Sequence, residues 1–343
     1  MMQAILQSIP FDTTHPRLPI HQQPAWTSLN APNARQRYLH FRVMDGDVIA
    51  AQGLVRLRRI APGLSVAACQ RGPMTQTPQA LADVLPPLEH ALKRMGAVSL
   101  TVNPAWTGAQ VPTATAALAQ AGYARVPRDL QNFPTMTAIL ELQADDDALL
   151  AAMTQTGRRH LRKAWKAGVS CRPMADDSEA RTANAIMARM AEETGLVTDS
   201  QHDFRAHFAY LEQNPRAGTC LVACLAGDIF GAAVNYVEGA TGYNMLIATR
   251  SDVAVPRAHA PMWASMVGLR DLGCTHFDMV GYPDPEVETD AGAAGRGAFK
   301  RAFGPQITPV LPLFTKPLRP VLHGLIQTLR TRRRQAQKER QDA

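Results

Sequence analysis

Cysteine is scarce in this sequence, and its placement gives no sign of a disulfide framework. The five cysteines are scattered and odd in number, which is typical of a protein from a reducing compartment. Cys220 and Cys224 lie four residues apart, but in a stretch that reads as a strand, where both are small apolar residues. No two histidines have the HxxH or HExxH spacing of a metal site. We therefore expect no bound metal.

Long apolar runs are also missing. No stretch approaches the roughly 18 consecutive apolar residues that a membrane-spanning helix needs. The N-terminal residues have no basic segment ahead of a long apolar core, so they do not read as a secretory signal. These absences predict a cytoplasmic protein, which we expect to be a monomer.

The sequence lacks the usual motifs of an enzyme-borne nucleophile. It contains no GxSxG elbow, and no serine or cysteine has an obvious partner base. Any group-transfer chemistry in this chain must therefore depend on positioning and electrostatics.

Positive charge is present in excess and is unevenly distributed. The 343 residues, enough for about two domains, include 36 Lys and Arg against 29 Asp and Glu, for a net charge of +7. The basic residues concentrate at positions 158–166 and 330–340. Such clusters indicate phosphate-bearing partners, nucleic acid or membrane headgroups, although a solvated helix face is the alternative.

One order of elements occurs twice along the chain. In the first half, Asp45-Gly46-Asp47 joins two strand-like segments as a hairpin turn, and a strand LSVAAC, a helix over 78–95 and a strand VSLTVN follow. In the second half, Ala226-Gly227-Asp228 joins a similar hairpin, and a strand GYNMLIA, a helix over 258–272 and a strand THFDMVG follow. This internal duplication is visible in turn chemistry and element order rather than in residue identity.

The duplicated pattern predicts an α+β fold of two tandem GNAT-like acyltransferase domains, each a mixed sheet flanked by helices. The predicted units are an extended lead-in over 1–36, a first half over 37–144 and a second half over 145–316. A basic C-terminal helix or tail over 317–343 can pack back on the first half.

The stretch 276–304 combines a short strand, a long loop and the segment FKRAFG. Connections this long without structure are usually binding loops or disordered. Asp278 on the strand and Lys300 after the loop bracket it, with Phe299 and Phe303 on either side of the lysine. A compact ammonium in this place can neutralise an oxyanion or a substrate phosphate.

Five segments in order give the chain a resemblance to a known family. QRGPM, MGAVSLTVNP, AGYARVPRDLQNFPTMTAILEL, RRHLRKAWKAGV and FKRAFG resemble successive motifs of the Fem family, the aminoacyl-tRNA-dependent peptidyltransferases that build peptidoglycan cross-bridges. The resemblance spans about residues 40–315. It implies amide formation from an aminoacyl-tRNA co-substrate, without another cofactor, onto the amine of a peptidoglycan precursor or of a small peptide or metabolite.

Two positions depart from the family pattern. Asn103 stands where the family often has an acidic residue, and His160 stands where Asn is common. These departures leave the identity of the acceptor open.

The residues and the resemblance together select the candidate site. Lys300 is the candidate catalytic residue. The candidate substrate-binding residues are Arg71, Gly72, Asn103, Arg158, Arg159, Arg162, Tyr243, Asp278, Gly281, Tyr282 and Phe299. Of these, Asp278 can instead fix the loop after its strand, Phe299 can be core packing, and the arginines of 158–162 can be a solvated helix face.

Two other functions remain open from the sequence. An acyl-CoA-dependent GNAT N-acyltransferase would use a glycine-rich pyrophosphate loop, which the segment 253–260 does not provide. A non-catalytic protein that binds RNA or cell-wall precursors is the other alternative. The basic tail can lie on tRNA or on an anionic membrane surface.

Overall fold

The computed structural model describes residues 2–11, 18–131, 133–284, 291–326 and 328. The segment 285–290 of the predicted binding loop and the basic cluster at 330–340 lie outside the described residues. The helices are α1 Trp26–Leu29, α2 Leu81–Arg94, α3 Val111–Gln120, α4 Asp146–Ala152, α5 Gln155–Lys166, α6 Asp177–Thr194, α7 Phe204–Gln213, α8 His259–Asp271 and α9 Ala291–Arg301.

The strands of the described residues form two mixed sheets. They are β1 Gln3–Gln7, β2 Gln36–Asp45, β3 Val48–Ala61, β4 Leu64–Cys69, β5 Met74–Thr75, β6 Ala97–Val102, β7 Ala124–Arg125, β8 Met136–Glu141, β9 Ser170–Pro173, β10 Gly218–Leu225, β11 Asp228–Glu238, β12 Thr241–Thr249, β13 His276–Asp278, β14 Gln306–Pro309 and β15 Phe314–Pro317.

The first sheet has the order β1-β2-β3-β4-β6-β15-β7, with β5 paired to β3. Its first tight hairpin turns at Gly46, whose φ of 57° suits a residue without a Cβ. Strands β4 and β6 are parallel, and α2 between them is the crossover that a parallel pair requires. Helix α2 turns its apolar face, including Leu85 and Leu88, into the core of this half.

The second sheet repeats this plan in the order β14-β8-β13-β12-β11-β10-β9. The hairpin between β10 and β11 turns at Ala226 and Gly227, which both have positive φ, at 51° and 89°. Strands β12 and β13 are parallel and α8 crosses between them. The tandem GNAT-like α+β fold predicted from the sequence is confirmed.

The two sheets exchange strands between the halves. Strand β8, which the sequence places at the end of the first half, pairs with β13 and β14 in the second sheet. Strand β15, at the end of the predicted second half, pairs with β6 and β7 in the first sheet. The predicted boundary at 144 therefore does not separate the sheets, because alternation in sequence identifies a strand but not its partner.

The lead-in over 1–36 has more regular structure than predicted. Strand β1 extends the first sheet along β2. Further on, Ile20, Trp26 and Leu29 are almost fully buried and share a core with Leu54 of β3 and with the α6–α7 side of the second sheet. This segment therefore fills the space between the two halves.

Within the ranges given above, no helix is both long and apolar enough to cross a bilayer. Across the same residues, no group of three or more His, Cys, Asp or Glu side chains is arranged to hold a metal ion.

Candidate active site

A cleft of about 780 Å³ opens in the second half at the N-terminal end of α8, between α5 and α9. Its lining comes from all three helices and from the loop ahead of α8. The lining residues are Arg159, His160, Lys163, Val253, Ala254, Val255, Pro256, Arg257, Ala258, His259, Gly295, Arg296 and Phe299.

The cleft is strongly basic. Four of its lining residues, Arg159, Lys163, Arg257 and Arg296, carry a positive charge, and none of the described lining residues is Asp or Glu. The N-terminal end of α8 lies at the same place, where the helix dipole adds partial positive charge. The arrangement suits a ligand that carries several negative charges.

Helix α5 is held against the end of α9 by a close approach of the two backbones. The N-cap Thr154 accepts a hydrogen bond from the Gly157 N–H, and its own N–H donates to the Ala302 carbonyl at 3.1 Å. A Cβ on Gly157 would lie 2.2 Å from the same carbonyl oxygen, so only glycine permits this approach. Because Leu161 and Ala164 of α5 are buried, its basic residues are left at the cleft and the surface.

Two histidines meet at the wall of the cleft. Nδ1 of His160 lies 3.3 Å from Nε2 of His259, and the rings meet edge to face. The His259 ring also packs against Phe299 and stacks on Phe303 at centroid distances of 5.1 Å and 5.7 Å. Burial, with a smaller contribution from His160, lowers the pKa of His259 to about 4, so this imidazole is neutral at pH 7.

Lys300 points away from this cleft, toward the end of strand β13. Its ammonium donates to the carbonyls of Met279 at 3.1 Å and Gly281 at 2.6 Å, and also to the carbonyl of Val280. Val280 and Gly281 have positive φ, at 51° and 58°, so the chain turns sharply here. The ammonium fixes this turn, while the neighbouring Phe299 faces the cleft.

Asp278 and Tyr282 are engaged by protein groups at the same strand end. Asp278 is buried, accepts a hydrogen bond from the Thr137 hydroxyl, and accepts another from the Val280 N–H at 2.8 Å. Tyr282 is also buried, and its hydroxyl accepts a hydrogen bond from Arg301 of α9. Asp278 therefore joins the end of β13 to β8 and to the turn that follows it, and Tyr282 joins the same segment to α9.

A second group of predicted residues meets between the two halves. Arg71, from the loop after β4, forms an ion pair with Glu238 at the end of β11, with an N···O distance of 2.9 Å and side chains only 10% and 9% exposed. The Arg71 guanidinium lies 4.5 Å from the ring centre of Tyr243 on β12. Burial raises the pKa of Glu238 and Arg71 opposes this, so the carboxylate depends on its partner.

Asn103 links this network to a groove in the first half. Its side-chain oxygen accepts the Arg71 N–H at 2.9 Å, while its amide nitrogen, Nδ2, is buried and has no partner among the described residues. Asn103 lies on a groove of about 450 Å³ along β4 and β6, which Arg56 and Thr101 also line. A Cβ on Gly72 would lie 2.4 Å from Oε1 of Gln22, so the absence of a side chain at Gly72 permits close packing against Gln22.

The predicted residues thus fall into separate groups. Arg159 and Phe299 line the basic cleft, whereas Arg158 donates to the carbonyls of Ala151 and Met153 at the end of α4, at 3.1 Å and 2.5 Å. Arg162 is exposed and does not line the cleft. Arg71 and Tyr243 line neither the cleft nor the groove, and Lys300 does not line the cleft, whereas Asn103 lines the groove.

Several residues of the site were not selected from the sequence. Glu238 ends an ordinary strand, and Arg257 and Arg296 are isolated basic residues, so no local motif marks them. The sequence gives a weak indication for His259. It lies at the start of a predicted helix, and the loop before such a helix faces the site in a GNAT-like half. His160 was visible as a departure from the family pattern.

Comparison with solved structures defines the fold class of the protein. The chain has the fold of a solved structure described as FemX, with a TM-score of 0.77 and 16% identity over 91% of this chain and 96% of that one. It is also similar to a tandem GNAT protein from the clavulanic acid biosynthesis pathway, with a TM-score of 0.51 and 15% identity over 84% and 85% of the two chains. The C-terminal domain of a putative lysylphosphatidylglycerol synthetase from Agrobacterium fabrum gives a TM-score of 0.52 at 15% identity, over 88% and 91%.

The family itself follows from the sequence match. Residues 10–209 match the model of the FemAB family, and the chain belongs to this family. This confirms the resemblance found in the five sequence segments. Members of the family are transferases. No curated protein matches the chain.

Proposed function

We propose that this protein is an aminoacyl-tRNA-dependent transferase, which forms an amide bond between the activated amino acid and an amine acceptor. The acceptor we propose is a peptidoglycan precursor or a related small peptide. The observation that carries the proposal is the cleft between α5 and α9, which combines four cationic side chains with aromatic rings and has no carboxylate among its described lining residues.

The composition of the cleft suits the 3′ end of an RNA. Its phosphates match Arg159, Lys163 and the other cations, and a base can stack on an aromatic side chain such as Phe299. The loop ahead of α8 contains no glycine from Val253 to Ala258. It therefore lacks the glycine nest that suits the pyrophosphate of an acyl-CoA.

The groove of the first half is the proposed acceptor site. It offers Arg56 and Arg58, beside the one described lining carboxylate, Asp199, for a negatively charged acceptor, and hydroxyls on β6 and β15 for hydrogen bonding. The amide nitrogen of Asn103, which has no partner among the described residues, supports this assignment, because a buried donor without a partner is costly unless a ligand satisfies it.

The chemistry needs little from the enzyme beyond placement. The ester of an aminoacyl-tRNA is already activated, and its ribose hydroxyl is an adequate leaving group. Holding the amine and the ester together supplies a large part of the rate enhancement. Oriented donors then stabilise the oxyanion of the tetrahedral intermediate.

A labelling experiment tests the proposal. The purified protein is incubated with a pool of radiolabelled aminoacyl-tRNAs and a bacterial extract as acceptor, and labelled acetyl-CoA is supplied in a parallel reaction. We expect hydroxylamine-stable label from the aminoacyl-tRNAs that disappears after RNase pretreatment. Label from acetyl-CoA alone would instead identify an acyl-CoA-dependent enzyme.

A protein that binds RNA without catalysis would give a third result. It would retain labelled tRNA on a filter while transferring no amino acid, with purified UDP-linked and lipid-linked muropeptides as acceptors in addition to the extract. This outcome would remove the transferase proposal and retain the assignment of the cleft as an RNA site.

A further inference from the structure

The two histidines at the cleft wall can accept and donate protons, and the binding of an anionic donor does not require this. His160 is half-buried and His259 is buried, and both line the cleft. The 3.3 Å hydrogen bond joins one nitrogen of each ring. Among the described residues, neither side chain makes another hydrogen bond. Nε2 of His160 is therefore not engaged by a described residue.

Resting on the function proposed above, we propose that His160 is the general base of the transfer and that His259 is the positioning residue that holds it in the productive tautomer. The supporting geometry is the hydrogen bond between the two rings, the packing of His259 between Phe299 and Phe303, and the position of His160 on the cleft wall.

The tautomers follow from the shared hydrogen bond. Because His259 is neutral at pH 7, its Nε2 can accept a hydrogen bond from the Nδ1–H of His160. His160 Nε2 then carries a lone pair. When this nitrogen takes up a proton, the bond between the rings becomes a charge-assisted hydrogen bond to a neutral acceptor, which stabilises the imidazolium.

The surroundings keep the pair available as a base. The charged groups of the elements packed around it are all cationic among the described lining residues, namely Arg159 and Lys163 of α5, Arg257 of the preceding loop and Arg296 of α9. These cations are placed to bind the donor, and no carboxylate lies among the described lining residues of the cleft.

The proton balance of the transfer needs such a group. The amine nitrogen forms a bond to the ester carbonyl carbon, and the bond from that carbon to the ribose oxygen breaks, with its electron pair remaining on oxygen. His160 Nε2 takes the proton that the amine loses and returns it to the ribose oxygen. No proton is gained or lost overall.

The first test compares His160→Asn with His90→Asn, an exposed histidine on α2 in the other half. We expect His160→Asn to lower kcat about 100-fold or more with KM within about threefold, since general base catalysis contributes about 10²–10⁴. The acid limb of the wild-type pH profile should disappear in this variant. His90→Asn should match the wild type, and His160→Asn with kcat within about threefold would overturn the proposal.

The test of His259 must distinguish positioning of His160 from packing, so it needs a measurement that loss of packing alone does not change. His259→Gln places an amide near the same ring nitrogen of His160, and we expect a lower kcat with unchanged KM and a displaced acid limb. Free imidazole should partly restore His160→Ala but not His259→Ala. Rescue of neither variant, together with an unmoved acid limb, would count against the paired arrangement.

A final measurement separates this proposal from the proposed function. Diethyl pyrocarbonate acylates unprotonated imidazole, and mapping by mass spectrometry gives the rate at each histidine without any substrate. We expect the rate at His160 to fall in His259→Gln, while the rate at His90 does not change. If the wild type transfers no amino acid, the assigned reaction fails, and an unchanged rate at His160 in His259→Gln would remove the reactive pair as well.

Discussion

Nη2 of Arg71 and Oε2 of Glu238 lie 2.9 Å apart across the interface of the two halves, although 167 residues separate them in the chain. The Glu238 carboxylate also accepts the backbone N–H of Ile20 at 3.2 Å, so one buried carboxylate joins the first half, the second half and the lead-in. This ion pair engages the arginine that the sequence suggested for substrate binding.

Replacing Arg71 by Met should destabilise the whole protein. The substitution leaves a buried carboxylate without its cation, and breaking a buried pair in this way costs about 3–5 kcal/mol. Urea denaturation measures the loss in the free energy of unfolding. Arg172→Met is the control, because its partner Glu179 is near the surface and the arginine side chain is 45% exposed. The control should lose under about 1 kcal/mol, and an equally small loss in Arg71→Met would contradict the prediction.

Replacing Lys300 by Met should affect both stability and transfer. The variant leaves the carbonyls of Met279, Val280 and Gly281 without this donor, at a cost of about 2–3 kcal/mol. With the strand end and α9 no longer tied, we expect transfer to fall more than about tenfold at a temperature where the variant is fully folded.

The matched control is Lys93→Met, which removes an exposed lysine from α2 in the first half. It should leave both properties unchanged. A Lys300→Met rate within about twofold of the wild type, under about 0.5 kcal/mol of transition-state effect, would show that the turn fixed by Lys300 does not position the catalytic site.

Removing cations from the cleft should reduce the salt dependence of tRNA binding. Each phosphate that the protein no longer neutralises reduces the slope of log K against log salt by about 0.7–0.9. We therefore expect Arg159→Ala and Arg257→Ala each to flatten the slope by about that amount, measured by fluorescence anisotropy with labelled tRNA. Arg181→Ala serves as control, since Arg181 pairs with Asp177 on α6 and does not line the cleft. Unchanged slopes in the cleft variants would place the RNA elsewhere.

Acid should destabilise the fold through a buried histidine outside the site. Nδ1 of His207 lies 2.6 Å from the Tyr236 hydroxyl and Nε2 lies 2.9 Å from the Gln201 carbonyl, which suits a neutral ring that accepts from one and donates to the other. Burial lowers the pKa of His207 from 6.5 to about 4. Between these values the unfolded chain binds a proton that the folded protein does not, so stability falls as the pH decreases through this interval.

The loss from His207 alone should reach roughly 3 kcal/mol by pH 4. His259 contributes in the same direction, because its pKa is lowered similarly. In His207→Gln the free energy of unfolding should depend less steeply on pH between 6.5 and 4 than in the wild type or in His90→Gln. An unchanged slope would show that His207 is not neutral in the folded protein.

The repeated core of the fold was predictable because its signals are local. Gly46 and the Ala226-Gly227 pair have the backbone angles that their hairpins need, and the apolar period of α2 faces the core as the sequence indicates. Pairing between distant strands has no such signal. The exchange of β8 and β15 depends on which sheet edge is free, and no residue in either strand specifies that.

The site was predictable only in part, for a similar reason. Arg159 and Phe299 lie on segments with a recognisable pattern, and both reach the cleft. Arg71 lies over the ring of Tyr243 and pairs with Glu238, a carboxylate whose position is set by strand register alone. Lys300 illustrates a further limit, since the sequence shows a cation beside the loop but not the three carbonyls that receive it.

The crossing of strands between the sheets constrains the order in which this protein can be made. On a ribosome, the first sheet cannot close when residues 37–144 have emerged, because β15 must still arrive to lie between β6 and β7. Until synthesis passes residue 317, the inner edges of those two strands are exposed to water and to other chains. The halves therefore mature together, and neither is expected to survive as a separately expressed fragment.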